Sequence, residues 1–384
     1  MTGHQDVWGY AAVFVVAAAV TFATTPLIRR LVIRFGAIYQ PNDRSVHTTP
    51  LPTMGGIAMY LGVVAALACS QVLPVFAPLR LISDSLATLV VCTLMLGLGV
   101  VDDTRGITAL TKFTAQVFIG GVLVLFGVEM QYLWLPLSNW GIQVVALSGD
   151  LPVILTIAWA VAIPNAVNLV DGLDGLAAGM VAIAAAAFFI FMVNQPGPFG
   201  TVSEAALISA ITCGICVGFL PWNFYPAKIF MGDAGSMLLG ILLAIATIEG
   251  VGNNFTQPSG GQAAAIVGTI AIPLLVLLIP LLDVVFAVVR RTWRGVGIAH
   301  PDKEHLHHRL IDIGHGHRQA VLLMYLWSAL VSVGTLAVAF IDGRLPVALL
   351  LFGAVTLFLI TALPRLASRR NGSTTVPPRG SADG

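Results

Sequence analysis

Long apolar stretches separated by short polar breaks run through almost the whole chain and set its plan. Stretches long enough to cross about 30 Å of hydrocarbon as a helix fall near residues 8–33, 55–76, 83–101, 108–128, 151–168, 174–193, 204–221, 234–251, 263–290, 319–341 and 346–363. The pattern predicts an all-α polytopic membrane protein of ten or eleven spans, a single domain over residues 1–367. The polar remainder, 368–384, is rich in Arg, Gly, Ser, Thr and Pro, and its composition predicts a disordered tail. One break is more than an interruption. Residues 164–179, PNAVNLVDGLDGLAAG, carry Asn165, Asn168, Asp171 and Asp174 in an otherwise apolar sequence. An ionised Asp near the bilayer centre costs roughly 2.5–3.5 kcal/mol, so these side chains need a reason. A plain interfacial turn uses one cap, such as Asp174 before the next helix, with Gly172 and Gly175 in the turn. That leaves Asn165, Asn168 and Asp171 surplus.

Composition excludes a soluble domain. Hydrophobic residues make up 57% of the chain and charged residues 10%, with a mean hydropathy of +0.92, where soluble domains carry about 25% charge. A formal net charge of +1 gives no footprint for nucleic acid. Cys69, Cys92, Cys213 and Cys216 all lie in apolar stretches, so a disulfide framework is not expected and the Cys213/Cys216 pair reads as helix packing. No Lys or Arg precedes Arg29, so the first stretch lacks the basic opening of a signal peptide and reads as a retained span.

The basic residues orient the spans. With eleven spans, the loops after spans one, three, five, seven and nine and the tail share one side, and they hold all Lys and Arg except Arg80 and Arg344. By the positive-inside rule that side is cytoplasmic, the N-terminus is outside and the C-terminus is cytoplasmic. Asp102, Asp103, Asp171, Asp174, Asp233 and every His but His4 fall on the same side. The longest outer connection, residues 129–150, carries Tyr132, Trp134 and Trp140 and suits an interfacial hairpin.

The cytoplasmic breaks hold the candidate chemistry. Arg44 and His47, with Asp43, precede Gly55-Gly56 and suit an anionic group or a simple basic anchor. Asp102 and Asp103 are adjacent, so on a helix they point in different directions, and Lys112 follows as a point charge able to reach a phosphate. Asp233, in FMGDAG, opens a Gly-flanked helix. Such an N-terminus favours phosphate, and an acid there is consistent with it if the acid holds a divalent cation that the phosphate also binds. Six His lie between His300 and His317. Without Cys ligands nearby, and with Asp and Asn as the other candidate donors, the set favours magnesium over zinc, and imidazoles beside Arg294 and Arg309 suit a pyrophosphate. Asp283 is the one acid inside a span, after Pro273 and Pro280, and it either satisfies backbone groups freed by a kink or faces the site.

Four motifs in order, VDD at 101–103, NAVNLVDGLDG at 165–175, FMGD at 230–233 and HLHH at 305–308, resemble those of the polyprenyl-phosphate N-acetylhexosamine-1-phosphate transferases. This membrane family includes the WecA/TagO type and the related MraY enzymes, and the resemblance covers about residues 8–363. It implies an active site on the cytoplasmic side of a bacterial plasma membrane. It also implies transfer of a sugar-1-phosphate from a UDP-N-acetylhexosamine to a polyprenyl phosphate, with release of UMP. Magnesium is the implied cofactor, with manganese as a substitute. Carried over by motif, Asp102 and Asp103 position or deprotonate the lipid phosphate, and Asp233 with Asn168 or Asp171 holds the metal. Asp174 and Phe230 recognise uracil, and Asn223 and Asn165 line the substrate pocket. Lys112 and the His of the fifth loop, His305, His307 and His308, meet phosphates, and Arg44, His47 and Arg309 are kept as substrate-binding candidates from the residue reading above. HLHH is similar to the WecA/TagO pattern, whereas MraY enzymes carry a longer His run followed by acidic sequence. That favours UDP-N-acetylglucosamine over UDP-MurNAc-pentapeptide, and the first membrane step of a cell-envelope glycan. GHGH at 314–317 has no counterpart and receives no role, and the resemblance leaves room for a homodimer. A secondary transporter is the reading from another class. It predicts an inverted repeat and charges near the midplane, whereas here the acids gather at helix ends.

Overall fold

The computed structural model describes residues 3–36, 38–39, 50–81, 84–138, 141–195, 202–252, 316–341 and 343–371. The expected ninth span with Asp283, and the candidate residues Arg44, His47, His305, His307, His308 and Arg309, lie outside the described residues. The described chain is mostly helical. Its helices are α1 (Gly3–Phe35), α2 (Gly56–Val72), α3 (Asp84–Arg105), α4 (Ala109–Leu125), α5 (Leu151–Val170), α6 (Leu176–Val193), α7 (Glu204–Asn223), α8 (Gly232–Thr247), α9 (His317–Phe340) and α10 (Leu345–Asn371). Seven of them, α1, α3 and α5 to α9, contain a segment long and apolar enough to cross a membrane, and α2, α4 and α10 are shorter apolar helices.

Two features depart from an all-α chain. Strands β1 (Ile38–Tyr39) and β2 (Leu51–Pro52) pair, and the connection between α4 and α5 folds as an antiparallel hairpin of β3 (Tyr132–Ser138) and β4 (Gly141–Ala146). Trp134 and Val144 are register partners in the ladder, and aromatic and β-branched residue types suit a pleated strand better than a helix. The register shifts between Leu135 and Ser138, around Pro136, which has no N–H for the ladder. The second expected span is also shorter than the hydropathy suggests. Its helix ends at Val72, and a 3₁₀ segment with Pro78 inside it runs over Pro74–Leu81. At the other end α10 runs to Asn371, past the boundary expected between residues 367 and 368.

Helix α8 is the axis of the core. Residues Ala234 to Thr247 are all buried, as expected of a helix apolar on every side, and α2, α3, α5 and α7 pack around it. Small residues set these approaches, as is common between membrane helices. A Cβ on Gly56 would sit 2.2 Å from the Gly235 nitrogen, one on Gly99 2.3 Å from the Ala234 Cα, and one on Gly240 2.3 Å from the Pro164 Cα. The start of α8 is thereby clamped against α2 and α3, and its middle against α5. Outer helices instead expose apolar side chains, such as Phe22 and Leu27 on α1 and Phe352 and Phe358 on α10, which suits a hydrocarbon solvent. Cys92 and Cys216 are buried and all four cysteines are free, in line with a packing role.

Candidate active site

The site begins at the first turn of α8. Gly232 has φ +71, and a Cβ there would lie 2.4 Å from Asp103 Oδ2 and 2.6 Å from Thr53 Oγ1, so the turn needs glycine twice over. It aims the Asp233 and Ala234 N–H groups at Asp103, donating to Oδ1 at 2.9 Å and to Oδ2 at 3.1 Å. The N-terminus of α8 was expected to favour a phosphate. The anion found on it is the protein's own, a carboxylate delivered by α3, because α3 crosses α8 on Gly99.

Adjacent Asp102 points elsewhere. Its Oδ1 accepts from the Ile107 N–H at 3.0 Å, and its Oδ2 lies 2.8 Å from Lys112 Nζ. Lys112 also donates to Asp233 Oδ2 at 2.5 Å. The other oxygen of Asp233, Oδ1, accepts from Asn168 Nδ2 at 2.8 Å, and the same amide reaches Ser236 Oγ at 2.8 Å. Three sequence-distant breaks therefore converge on Asp233. Asp171 lies just after α5 and is half-buried. Loss of water around it, together with the carboxylates of Asp233, Asp103 and Asp174, pushes its carboxyl up to about 8.

The donor chemistry fits magnesium. The Lys112 ammonium stands between Asp102 and Asp233 as a cation would, and the charges of Asp103 and Asp233 both reach Asp171. Among the described residues no three His, Cys, Asp or Glu side chains are grouped closely enough to hold a metal by themselves. Magnesium is commonly held by one or two carboxylates with substrate phosphates and water completing its sphere. Asp233, Asp171 and the Asn168 amide supply hard oxygens of that kind.

The second half of the site is the turn between α5 and α6. Asp174 is 2% exposed and accepts from the Ala227 N–H at 2.9 Å. It does not cap α6: Gly175, at φ +76, holds that position without a side-chain bond. The Gly175 N–H donates to Asn223 Oδ1 at 3.1 Å, and Asn223 Nδ2 donates to the Ile229 carbonyl at 3.1 Å. Half-buried Phe230 is pinned by its backbone, its N–H donating to the Pro52 carbonyl at 2.9 Å and its carbonyl accepting from Gly55 at 2.8 Å. Asp174, Asn223 and Phe230 thus border one loop, residues 224–231. Asn165, expected to line the substrate pocket, points its amide nitrogen at α4 and its own helix. Its Nδ2 donates to Gln116 Oε1 at 2.6 Å and to the Val161 carbonyl at 2.7 Å.

Four contributors were not singled out from the sequence. Ser236 follows Asp233 by three residues and Gln116 follows Lys112 by four, spacings that share a helix face. Both were legible as polar residues in apolar stretches. Thr53 and Tyr325 gave no local signal. The Tyr325 hydroxyl donates to the Gly175 carbonyl, its ring lying where a Cβ on Gly179 would be.

Residues 85–251 match the family model described as Glycosyl transferase family 4. A decaprenyl-phosphate N-acetylglucosaminephosphotransferase of Mycolicibacterium smegmatis is 39% identical, over 94% of this chain and 90% of the relative. One of the same name from Mycobacterium tuberculosis is 40% identical, over 93% of this chain and 89% of the relative. An undecaprenyl-phosphate alpha-N-acetylglucosaminyl 1-phosphate transferase of Escherichia coli is 29% identical, over 80% and 78%.

Proposed function

The chain belongs to glycosyl transferase family 4, and from that premise we propose that it transfers N-acetylglucosamine-1-phosphate from UDP-N-acetylglucosamine to a polyprenyl phosphate, releasing UMP. The observation that carries the reading is the convergence of Asp102, Asp103, Asn168, Asp171 and Asp233 around Lys112 and the start of α8. Relatives over nearly the full chain are named for N-acetylglucosamine, so a UDP-MurNAc-pentapeptide donor is not favoured. The sorting of Lys and Arg supports a cytoplasmic site in the plasma membrane.

Asp233, Asp171 and Asn168 are the residues proposed to hold magnesium. When bound, the ion supplies charge neutralisation for a diphosphate and its UMP leaving group. Lys112 adds a positive charge that can be shared with a phosphate oxygen. Both oxygens of Asp103 receive backbone N–H groups, so its role is to hold α8 in place. Asp102, which accepts from the Ile107 N–H and pairs with the Lys112 ammonium beside Asp233 but holds neither N–H at the start of α8, is then the acid that orients the lipid phosphate or takes its last proton. A phosphate monoester is already ionised at pH 7, so orientation along an in-line path matters more than activation. Asp174, Asn223 and Phe230 border the proposed uracil pocket.

The direct test is UMP release by purified protein from UDP-N-acetylglucosamine, dependent on polyprenyl phosphate. No release with any UDP-N-acetylhexosamine overturns the reading. Asp174→Ala is expected to raise the KM for the UDP-sugar by about tenfold while leaving that for the lipid within a factor of two. Equal shifts would make Asp174 a structural tie to Ala227 alone. A pH effect follows from Asp171. Its carboxyl is raised to about 8, so at pH 7 it is largely protonated without a metal, and magnesium must displace that proton. Affinity for magnesium is therefore expected to rise with pH up to about 8. Calorimetry at pH 7 in two buffers of different ionisation enthalpy is expected to show proton release; heats that do not depend on buffer would exclude Asp171 as a ligand.

A further inference from the structure

Gln116 is fully buried in α4, inside an apolar helix. A buried amide needs partners, and it finds them on two other helices. Its Oε1 accepts from Asn165 Nδ2 of α5 at 2.6 Å, and its Nε2 lies 3.5 Å from Met237 Sδ of α8. The spacing on both sides is that of one helix face. On α4, Lys112, Gln116 and Gly120 follow at four-residue steps, and on α5, Asn168 and Asn165 are three apart with Ile157 further along. The rungs match in antiparallel order. Lys112 and Asn168 meet on Asp233, Gln116 meets Asn165, and a Cβ on Gly120 would lie 3.2 Å from the Ile157 Cα.

We propose that Gln116 is a positioning residue: by accepting from Asn165 it fixes the register of α4 against α5, and so holds Lys112 and Asn168 on the two oxygens of Asp233. The middle rung is the only one of the three that specifies register by a directional bond between α4 and α5. The lower rung, Gly120 against Ile157, is apolar and tolerates sliding. The upper rung runs through Asp233 of a third helix and is the one substrates perturb. A slip of α4 by a fraction of a turn, about 1.5 Å per residue, takes Lys112 Nζ out of reach of Asp233 and Asp102. Asn165 is correspondingly assigned to this lock rather than to the substrate.

The inference uses the proposed transferase reaction for one of its two readouts, and the other is independent of it. Gln116→Met keeps the length and loses the accepting oxygen. Gln116→Glu keeps that oxygen. In the Met variant kcat is expected to fall by about tenfold with both KM values within a factor of two, and in the Glu variant to return to within about threefold of wild type. The second readout is reductive methylation of lysines, followed residue by residue by mass spectrometry. Lys112 in Gln116→Met is expected to react several-fold faster than in wild type, with exposed Lys228 unchanged, and Gln116→Glu to react at the wild-type rate. If the Met variant cannot be recovered from membranes, Asn165→Ser removes the same bond from the α5 side and is expected to behave alike. An unchanged Lys112 rate, a rise of Lys112 and Lys228 together, or equal losses in the Met and Glu variants overturns the proposal. Absence of UMP release by the wild type is a failure of the transferase reading instead, and leaves the methylation result to decide this one.

Discussion

Asp233→Asn is expected to lose about a thousandfold or more of turnover while remaining folded. The backbone explains the second half of that expectation. What anchors the first turn of α8 is the N–H of Asp233 and that of Ala234, both on Asp103, and neither depends on the side chain at 233. The side chain is where the site converges, with Lys112 on Oδ2 and Asn168 on Oδ1. Replacing one oxygen by an amide nitrogen removes the charge and sets a donor against either an ammonium or another amide. The variant should therefore match the wild type in thermal midpoint and fail in UMP release. Activity near wild type would remove Asp233 from the metal site.

Asp103→Ala carries the next largest effect, and of a different kind. It leaves two N–H groups at the half-buried start of α8 without their acceptor, at a cost of about 1–3 kcal/mol each at most, and frees the turn that aims Asp233. A fall in kcat of about a hundredfold together with a lower thermal midpoint is expected. Asp103→Asn keeps one accepting oxygen and should recover part of both. Asp102→Asn touches neither N–H, so it should lower kcat without moving the midpoint. This contrast separates an acid that holds the fold of the site from one that works on the substrate. If Asp102→Asn destabilises and Asp103→Ala does not, the two roles are reversed.

Much of this was legible in the sequence, for identifiable reasons. Hydropathy locates the helices because a span must be apolar over a fixed length, and α6 and α7 fall within a few residues of expectation. It misplaces the end of α2, and hydropathy alone does not say that the hairpin expected over residues 129–150 is made of the strands β3 and β4, because short apolar runs rich in Trp, Tyr and Val satisfy several backbone conformations. The site acids were legible because acids are expensive in such stretches. What each one touches was not. Asp102 and Asp103 are neighbours whose different fates follow from where α3 meets α8, a contact set by Gly99 and Ala234. Asn165 and Asn168 lie on the same stretch, yet one faces α4 and the other α8. Local sequence offered Asp174 as a helix cap beside its reading as a uracil ligand, and it did not show that the backbone partner of this side chain, Ala227, is 53 residues away. Side-chain direction comes from helix packing, and packing is not written locally.

The most direct measurement follows the phosphorus atoms of the donor. Purified protein is given UDP-N-acetylglucosamine labelled in the phosphate attached to the sugar, with polyprenyl phosphate and magnesium, and the aqueous and lipid fractions are separated. Transfer of the sugar together with its phosphate puts the label in the lipid fraction and releases unlabelled UMP, in equal amounts, and Asp233→Asn abolishes both. Label recovered in water as UDP, with the sugar alone on the lipid, or no transfer at all, contradicts it.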